Sequence, residues 1–206
     1  MNGLRIVTAA VMGGAMLALG CSSVPAPPPD QYFHLATPAS TTAAQTPTGE
    51  VRIQVETIEA NGIYAERPLL FRTEGLQAAI QQYRYDLWAE PPAKMLRDTL
   101  VEHLRAQYGA ERVWTSEARA HADFSVRGRV RALEQLVQTG AAKAALSLEY
   151  VVSGADGEVV TVYEYKEEIP AASTTVADYV AALNQALTRA YAGLDRRLAQ
   201  SVSAKK

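Results

Sequence analysis

The chain has 206 residues, of which 48% are hydrophobic and 20% charged, so it can bury the core of one domain of ordinary size. Its formal net charge of −2 argues against nucleic acid as the main partner, because nucleic-acid binding usually needs a strongly basic face. Its single cysteine excludes an internal disulfide, so the domain must fold by packing alone.

The N-terminus has the layout of an export signal. Arg5 gives a short positive region, and the uncharged stretch 6–19 follows it. That stretch is shorter than the roughly twenty apolar residues needed to cross a bilayer, but it has the length of a signal-peptide core. Residues 1–20 are therefore predicted to be a signal peptide, with the small residues Ala18 and Gly20 before the cleavage point.

Cys21 is the predicted lipid attachment residue, because the segment 18–21 (ALGC) resembles a bacterial lipobox. That resemblance implies a diacylglycerol on the cysteine sulfur and, after cleavage, an N-acyl chain on the new N-terminus. Two or more acyl chains hold a protein stably on a bilayer. The alternative is an ordinary secretory signal beside a free thiol. By resemblance to enterobacterial lipoproteins, Ser22 in place of Asp implies the periplasmic face of the outer membrane.

A proline-rich tether is predicted for residues 21–31, since this segment contains four prolines between Pro25 and Pro29. Such a segment favours extended polyproline II, at about 3.1 Å per residue. Ten residues would therefore hold the following domain roughly 30 Å from the lipid.

The first half of the chain then predicts mainly extended structure. Its predicted strands are 32–35, 51–58, 69–72, 80–88 and a short piece at 113–114. Between the last two, apolar residues recur at helical spacing from Pro92 to Tyr108, and Gly109 supplies a stop signal.

The second half predicts three strands and a long helix. Residues from Phe124 alternate clearly between apolar and polar, and 146–152 and 159–166 form a hairpin around Asp156-Gly157. An apolar stripe then runs from Val176 to Leu198. The order predicts an α+β domain over 32–200, a mainly antiparallel sheet with two helices packed on one face. Residues 201–206 are predicted to be a flexible tail.

Motifs for catalysis are missing from the sequence. It contains no G-x-S-x-G elbow, no Walker A loop and no H-E-x-x-H zinc motif. His34, His103 and His121 lie in unrelated elements without metal-like spacing, and each is predicted to be a surface or core-edge residue. We therefore predict no enzyme activity, no metal and no cofactor beyond the lipid on Cys21.

Three arginines form a candidate binding surface. Arg127, Arg129 and Arg131 alternate along one strand, so their side chains would line one side of it about 7 Å apart. They could contact anionic lipid head groups or an acidic partner. The alternative is a solvated sheet face, on which a neighbouring Glu149 or Glu164 neutralises them.

A second candidate surface is the aromatic segment 83–92, "YRYDLWAEPP". Tyrosine and tryptophan are enriched at binding hot spots, so Tyr83, Tyr85 and Trp88 could contact a partner. The alternative for Trp88 is that it plugs the core where the sheet meets the first helix.

Taken together, the motifs from 32 to 198 resemble the ABC-type transport auxiliary lipoprotein family, which includes PqiC. The resemblance rests on the order and spacing of four segments. They are "YFHL" at 32–35, "GIYAERPLLFR" at 62–72, "YRYDLWAEPP" at 83–92 and "ADF" at 122–124.

The resemblance implies an accessory subunit without enzyme activity. Family members work beside ABC transporters with mammalian-cell-entry (MCE) subunits, which move lipids or other hydrophobic molecules between the two bacterial membranes. The chain would be an outer-membrane-anchored periplasmic docking subunit that contacts an MCE-domain protein, and it could form a homo-oligomer. The alternatives are a periplasmic lipid-binding carrier and an envelope structural or assembly lipoprotein.

Overall fold

Eight β-strands and two α-helices form the part of the chain that the computed structural model describes, residues 26–38, 51–75, 79–118 and 120–204. The strands are β1 (Gln31–Phe33), β2 (Ile53–Glu59), β3 (Pro68–Thr73), β4 (Gln81–Trp88), β5 (Val113–Thr115), β6 (Phe124–Gln138), β7 (Ala141–Gly154) and β8 (Val159–Pro170). The helices are α1 (Pro92–Tyr108) and α2 (Val176–Ala204). The predicted α+β fold is confirmed.

All these strands belong to one curled sheet, and β6 is its centre. On one side β6 pairs with β7 in antiparallel, and β8 follows as an edge strand. On the other side β6 pairs in parallel, first with β2 and then with β3. β5 extends the sheet beyond β2, and β4 and β1 extend it beyond β3. The longest pairings are antiparallel, as predicted, whereas no sequence pattern indicates the parallel ones.

Both helices pack on the same face of the sheet, here called the inner face. α1 covers β2 and β5, and α2 covers β7 and β8. α1 begins at Pro92, where the fixed φ of proline suits a first turn, and it ends at Tyr108, before Gly109, which has a φ of 97°. α2 begins as predicted, since the Thr175 hydroxyl accepts a hydrogen bond from the Asp178 N–H at 3.2 Å.

The core lies between the helices and the inner face. Its largest fully buried side chains include Trp88, Tyr150, Tyr179 and Tyr191. Two glycines allow the close packing of these elements. A Cβ at Gly128 would lie 3.0 Å from the ring of Tyr150, and one at Gly193 would lie 1.9 Å from the Tyr163 hydroxyl. Since Gly193 has no side chain, α2 can lie directly against β8.

A β-bulge at Arg131 changes which residues of β6 face the core. Val130 and Ala132 pair with consecutive residues of β7, so Arg131 between them is extra. Before the bulge the even-numbered residues are buried on the inner face, as predicted. After it Gln135 lies on that face, where it donates a hydrogen bond to the Thr174 carbonyl oxygen. Glu134 consequently belongs to the opposite, outer face.

The segment that follows β1 crosses both helices. The Ala36 N–H donates to Asn184 Oδ1 of α2 at 3.0 Å, and the Thr37 hydroxyl donates to the carboxylate of Glu102 on α1. Leu35 is buried. Residues 34–38 are thus fixed to the helix pair before the chain continues toward β2.

The C-terminal end differs from the sequence prediction. Residues 201–206 were expected to form a flexible tail, but α2 continues to Ala204 and buries Ser201 and Val202. The reason is that Val202 follows Leu198 by one helical turn and so extends the apolar stripe. The tail prediction is therefore wrong for 201–204, and the last two residues lie outside the described part.

Candidate functional site

The predicted lipid attachment residue, Cys21, and the predicted signal peptide, 1–20, lie outside the described residues. The tether is described from residue 26 onward, and residues 26–30 are exposed and belong to no helix or strand. β1 then pairs with β4 at one edge of the sheet. The chain therefore enters the folded domain at that edge, and the anchor stays a prediction.

The three predicted arginines of β6 lie on the outer face, and two of them are in ion pairs. Arg129 Nη2 is 2.9 Å from Glu59 Oε2 on β2, and Arg131 Nη2 is 2.6 Å from Glu149 Oε2 on β7. The hydrogen bond from Arg131 holds the pKa of Glu149 below its usual range. Within the described residues Arg127 forms no ion pair. Arg127 is exposed, and after Arg131 its charge also contributes to the lowered pKa of Glu149.

The aromatic segment is mostly part of the fold. Trp88 is 1% exposed, which corrects the candidate partner-binding role and fits the alternative of a core plug. The Tyr83 hydroxyl donates to Gln135 Oε1 at 2.5 Å, so it holds β4 to β6. Tyr85 is half-buried, and the Arg84 guanidinium lies 5.3 Å from its ring centroid. Of the three aromatic candidates, Tyr85 is the least engaged with the rest of the domain.

An open cleft of about 440 Å³ lies on the outer face between β3, β6, β7 and β8. It holds an ion pair in which Arg72 Nε is 2.8 Å from Glu134 Oε1, and the Tyr64 hydroxyl is 3.4 Å from Glu134 Oε2. Glu134 is 5% exposed, and its hydrogen bond with Arg72 raises the pKa of that guanidinium. Lys143 and Lys166 also line the cleft. Its charged lining suits polar or ionic groups and does not enclose an acyl chain.

A buried polar cluster joins α1 to α2. His103 Nε2 is 2.9 Å from Asp195 Oδ2, and Gln107 Nε2 donates to the same oxygen at 2.5 Å. The other ring nitrogen lies 3.5 Å from the Pro38 carbonyl oxygen. His103 is 4% exposed, so it lies deeper than the core edge predicted for it. The cluster holds the helices and residues 34–38 together.

In residues 26–38, 51–75, 79–118 and 120–204, no three His, Cys, Asp or Glu side chains come together as a metal site. Neither helix in these ranges combines the length and the apolar character needed to cross a membrane.

Residues 33–194 match the family described as the ABC-type transport auxiliary lipoprotein component. This chain belongs to that family. The match includes the outer face and the cleft, and it begins after Cys21. The family resemblance drawn from the sequence motifs is therefore confirmed, together with an association with ABC-type transport. No curated protein sequence matches the chain.

Two solved structures resemble this member of the family. One is a protein from Xanthomonas campestris, 19% identical with a TM-score of 0.69, aligned over 85% of this chain and 100% of that chain. The other is described as an uncharacterized protein, 18% identical with a TM-score of 0.66, aligned over 83% of this chain and 99% of that chain. At these identities the likeness shows a shared fold.

The Arg72–Glu134 pair was not predicted from the sequence. These residues are far apart in the chain, and β3 and β6 meet through a parallel pairing that has no local signal. One signal was available, because the alternation along β6 breaks after Arg131, in the stretch "ALEQL" at 132–136. Such a break is typical of a β-bulge, and it moves Glu134 to the outer face.

Proposed function

We propose that the chain is an outer-membrane-anchored periplasmic accessory lipoprotein of an ABC/MCE-type transport system. Such a system moves lipids or other hydrophobic molecules between the inner and outer membranes. The observation that carries this proposal is the family match over residues 33–194. Cys21 lies outside the matched region, so its lipobox-like context is separate support for a lipid anchor.

The outer face supports a docking role. The helices cover the inner face, so the opposite face of β6, β7 and β8 presents a broad rigid surface to other proteins. That surface carries the exposed charge of Arg127 and the open cleft beside Glu134. Complementary charges across such a surface favour fast and specific association. The partner is the periplasmic part of an MCE-domain protein. Several copies of this chain would together receive or anchor the periplasmic end of that protein.

A carrier role has less support. The space between helices and sheet is filled by side chains such as Tyr150 and Tyr191, each 0% exposed. The cleft on the outer face is open and charged, whereas sites for hydrophobic ligands are mainly apolar and enclosed. The cargo would therefore pass through the other subunits while this domain holds them in place.

Palmitate labelling tests the anchor. Cells that produce the full-length chain with Cys21→Ala should incorporate no labelled palmitate into it, and the protein should leave the membrane fraction. Ser22→Ala is the matched control and should keep both label and membrane association. Labelling that persists in Cys21→Ala would contradict the lipid anchor. For sorting, Ser22→Asp should move the protein toward the inner membrane if the enterobacterial rule applies.

Co-purification tests the transport role. The tagged, lipidated chain is extracted in mild detergent, and bound proteins are identified by mass spectrometry. We expect an ABC permease, its ATPase and an MCE-domain protein. Binding to peptidoglycan without any of these partners would instead support an envelope structural protein. A lipid bound in stoichiometric amount would support a carrier.

A further inference from the structure

β8 is an edge strand whose first half exposes apolar side chains. Among the described residues it pairs with β7 and with no other strand. Val159, Val160 and Val162 are 53%, 45% and 51% exposed. Natural proteins usually protect an edge strand with charged residues or proline. The second half of β8 has that protection, since it is charged and ends at Pro170, whereas the valine half has no charged residue or proline and is interrupted only by a β-bulge at Val160.

A groove with two exposed arginines lies at Tyr163, the residue that follows these valines. Its volume is about 280 Å³, and it is lined by Tyr163, Gly193, Arg196, Arg197 and Gln200. Both arginines are exposed, and neither guanidinium forms an ion pair or hydrogen bond with another described side chain. The helix side of the valine edge therefore carries two uncompensated positive charges.

Arg127 adds a positive charge on the outer side of the same edge. It pairs with Val151 of β7, which pairs with Val162 of β8, so Arg127 lies about 10 Å from the edge. The acidic residues of β8 and its turn nearest to the valines are Glu158 before them and Glu164 after them. Carboxylates of a partner strand would thus fit beside Arg196 and Arg197, on the helix side of the edge.

The valine edge lies far from the point where the chain enters the domain. The valines are level with the start of β6, through the pairing of Val162 with Val151 and Arg127. β1 joins the sheet through β4 and β3, and β3 pairs with the end of β6 at Gln135. Arg127 and Gln135 are roughly 27 Å apart along the strand, at about 3.4 Å per residue. A lipid anchor on Cys21 would therefore leave the valine edge accessible to a periplasmic partner.

We propose that residues 159–162 bind an extended segment of a partner protein, which adds a strand to β8. The segment would alternate apolar residues, which cover the valines, with acidic residues, which pair with Arg196 and Arg197 on the helix side. In this recognition mode main-chain hydrogen bonds supply affinity and alternate side chains supply specificity. The inference rests on the proposed function, because the partner is then a periplasmic subunit of the transport system.

The β8 edge of a second copy fits this edge less well. Pairing of two β8 edges would bring Arg196 and Arg197 of one copy toward the same residues of the other. Like charges brought together at an interface disfavour association. An acidic, apolar segment of a different protein has no such penalty.

Photo-crosslinking in cells that produce the full-length chain tests the proposal. The photoreactive residue p-benzoylphenylalanine replaces Val160 in one variant and Tyr32, on the opposite edge strand β1, in a matched control. Mass spectrometry then identifies the crosslinked peptide. We expect position 160 to crosslink to an apolar and acidic segment of another envelope protein, and position 32 not to do so.

Charge reversal sharpens the experiment. In the Arg196→Glu/Arg197→Glu background the yield of the adduct at position 160 should fall about fivefold to tenfold, the loss expected for two exposed charge pairs. Arg84→Glu, an exposed arginine on β4, is the matched control and should leave the yield unchanged. Circular dichroism of each variant establishes that it is folded.

Several outcomes would overturn the proposal. One is an adduct of position 160 with a second copy of this chain, with residues 39–50 of the same chain or with lipid. Another is the absence of any adduct, and a third is an adduct yield that charge reversal leaves unchanged. The proposed function can fail separately. If the wild-type chain co-purifies with transport subunits but position 160 gives no adduct with them, the docking site alone is wrong. If no transport subunit co-purifies, the proposed function is wrong as well.

Discussion

The two faces of the sheet are made by the same strands, yet they differ in what their side chains contact. On the inner face, α1 and α2 bury large side chains such as Trp88 and Tyr150, which are 1% and 0% exposed. On the outer face, charged side chains form ion pairs such as Arg131–Glu149, and a cleft stays open. Burial of apolar area stabilises a fold, whereas exposed ion pairs contribute little stability. Substitutions on the inner face should therefore unfold the domain, and those on the outer face should mainly change binding.

The largest effect is expected for Trp88→Ala. Removing a fully buried tryptophan leaves a cavity in the core, which typically costs about 3–5 kcal/mol of unfolding free energy. Urea denaturation followed by circular dichroism measures the change. Tyr85→Ala, three positions earlier on the same strand and half-buried, is the control and should lose much less stability. Equal losses in the two variants would contradict the core position of Trp88.

Glu134→Ala tests a side chain that is buried although it lies on the outer face. This variant removes the carboxylate that accepts the hydrogen bond from Arg72 Nε, and hydrogen bonds to charged groups contribute about 1.5–3 kcal/mol. Glu134→Gln keeps the size of the side chain and one hydrogen-bond acceptor, so it should lose less. A Glu134→Ala protein as stable as the wild type would show that the Arg72–Glu134 pair does not stabilise the fold.

The loss of folding stability at high pH should depend partly on Tyr108, the last residue of α1. Burial, and then the charge of Asp195, raises the pKa of Tyr108 from 10.0 to about 12. Between these values the folded state holds a proton that the unfolded state has lost, so stability falls as pH rises from 10 toward 12. In Tyr108→Phe this part of the decline should disappear, so its stability should fall less steeply. Urea midpoints measured at pH 9, 10 and 11 provide the test, and parallel pH curves for the two proteins would refute it.

The smallest effect on stability is expected for Arg127→Glu with Arg129→Glu. Loss of the exposed Arg129–Glu59 pair should cost at most about 1 kcal/mol. Binding should weaken, either to the transport partner in co-purification or to vesicles that contain phosphatidylglycerol. Unchanged binding in the folded double variant would exclude the arginines as a recognition surface.

Much of the fold could be predicted from the sequence because its signals are local. The alternation along β6, the Asp156-Gly157 turn and the stripe of α2 each lie within one element or hairpin. The parallel pairings of β6 with β2 and β3 depend on contacts between distant segments, so no local pattern indicated them.

The candidate surfaces were predictable to a lesser degree. The ion pair of Arg131 with Glu149 is one that the sequence predicts, since the two residues lie on neighbouring strands of the predicted sheet. The partner of Arg129 was not foreseen, because Glu59 lies on β2 and reaches Arg129 only through a parallel pairing. The exposure of Val162 was also hidden, since valines in an alternating strand are expected to face a core.

The parallel pairings of β6 also constrain how the chain folds. β6, β7 and β8 are joined by short turns, so their antiparallel pairs can form among neighbouring residues. Ile53 of β2 instead pairs with Phe124, and Phe71 of β3 pairs with Gln135. In both pairs the second residue is synthesised much later than the first. Long-range pairings of this kind form slowly, because a large loop must close before any contact rewards it. The N-terminal strands should therefore gain protection from amide hydrogen exchange last, after the β6–β8 meander has formed a surface for them to join.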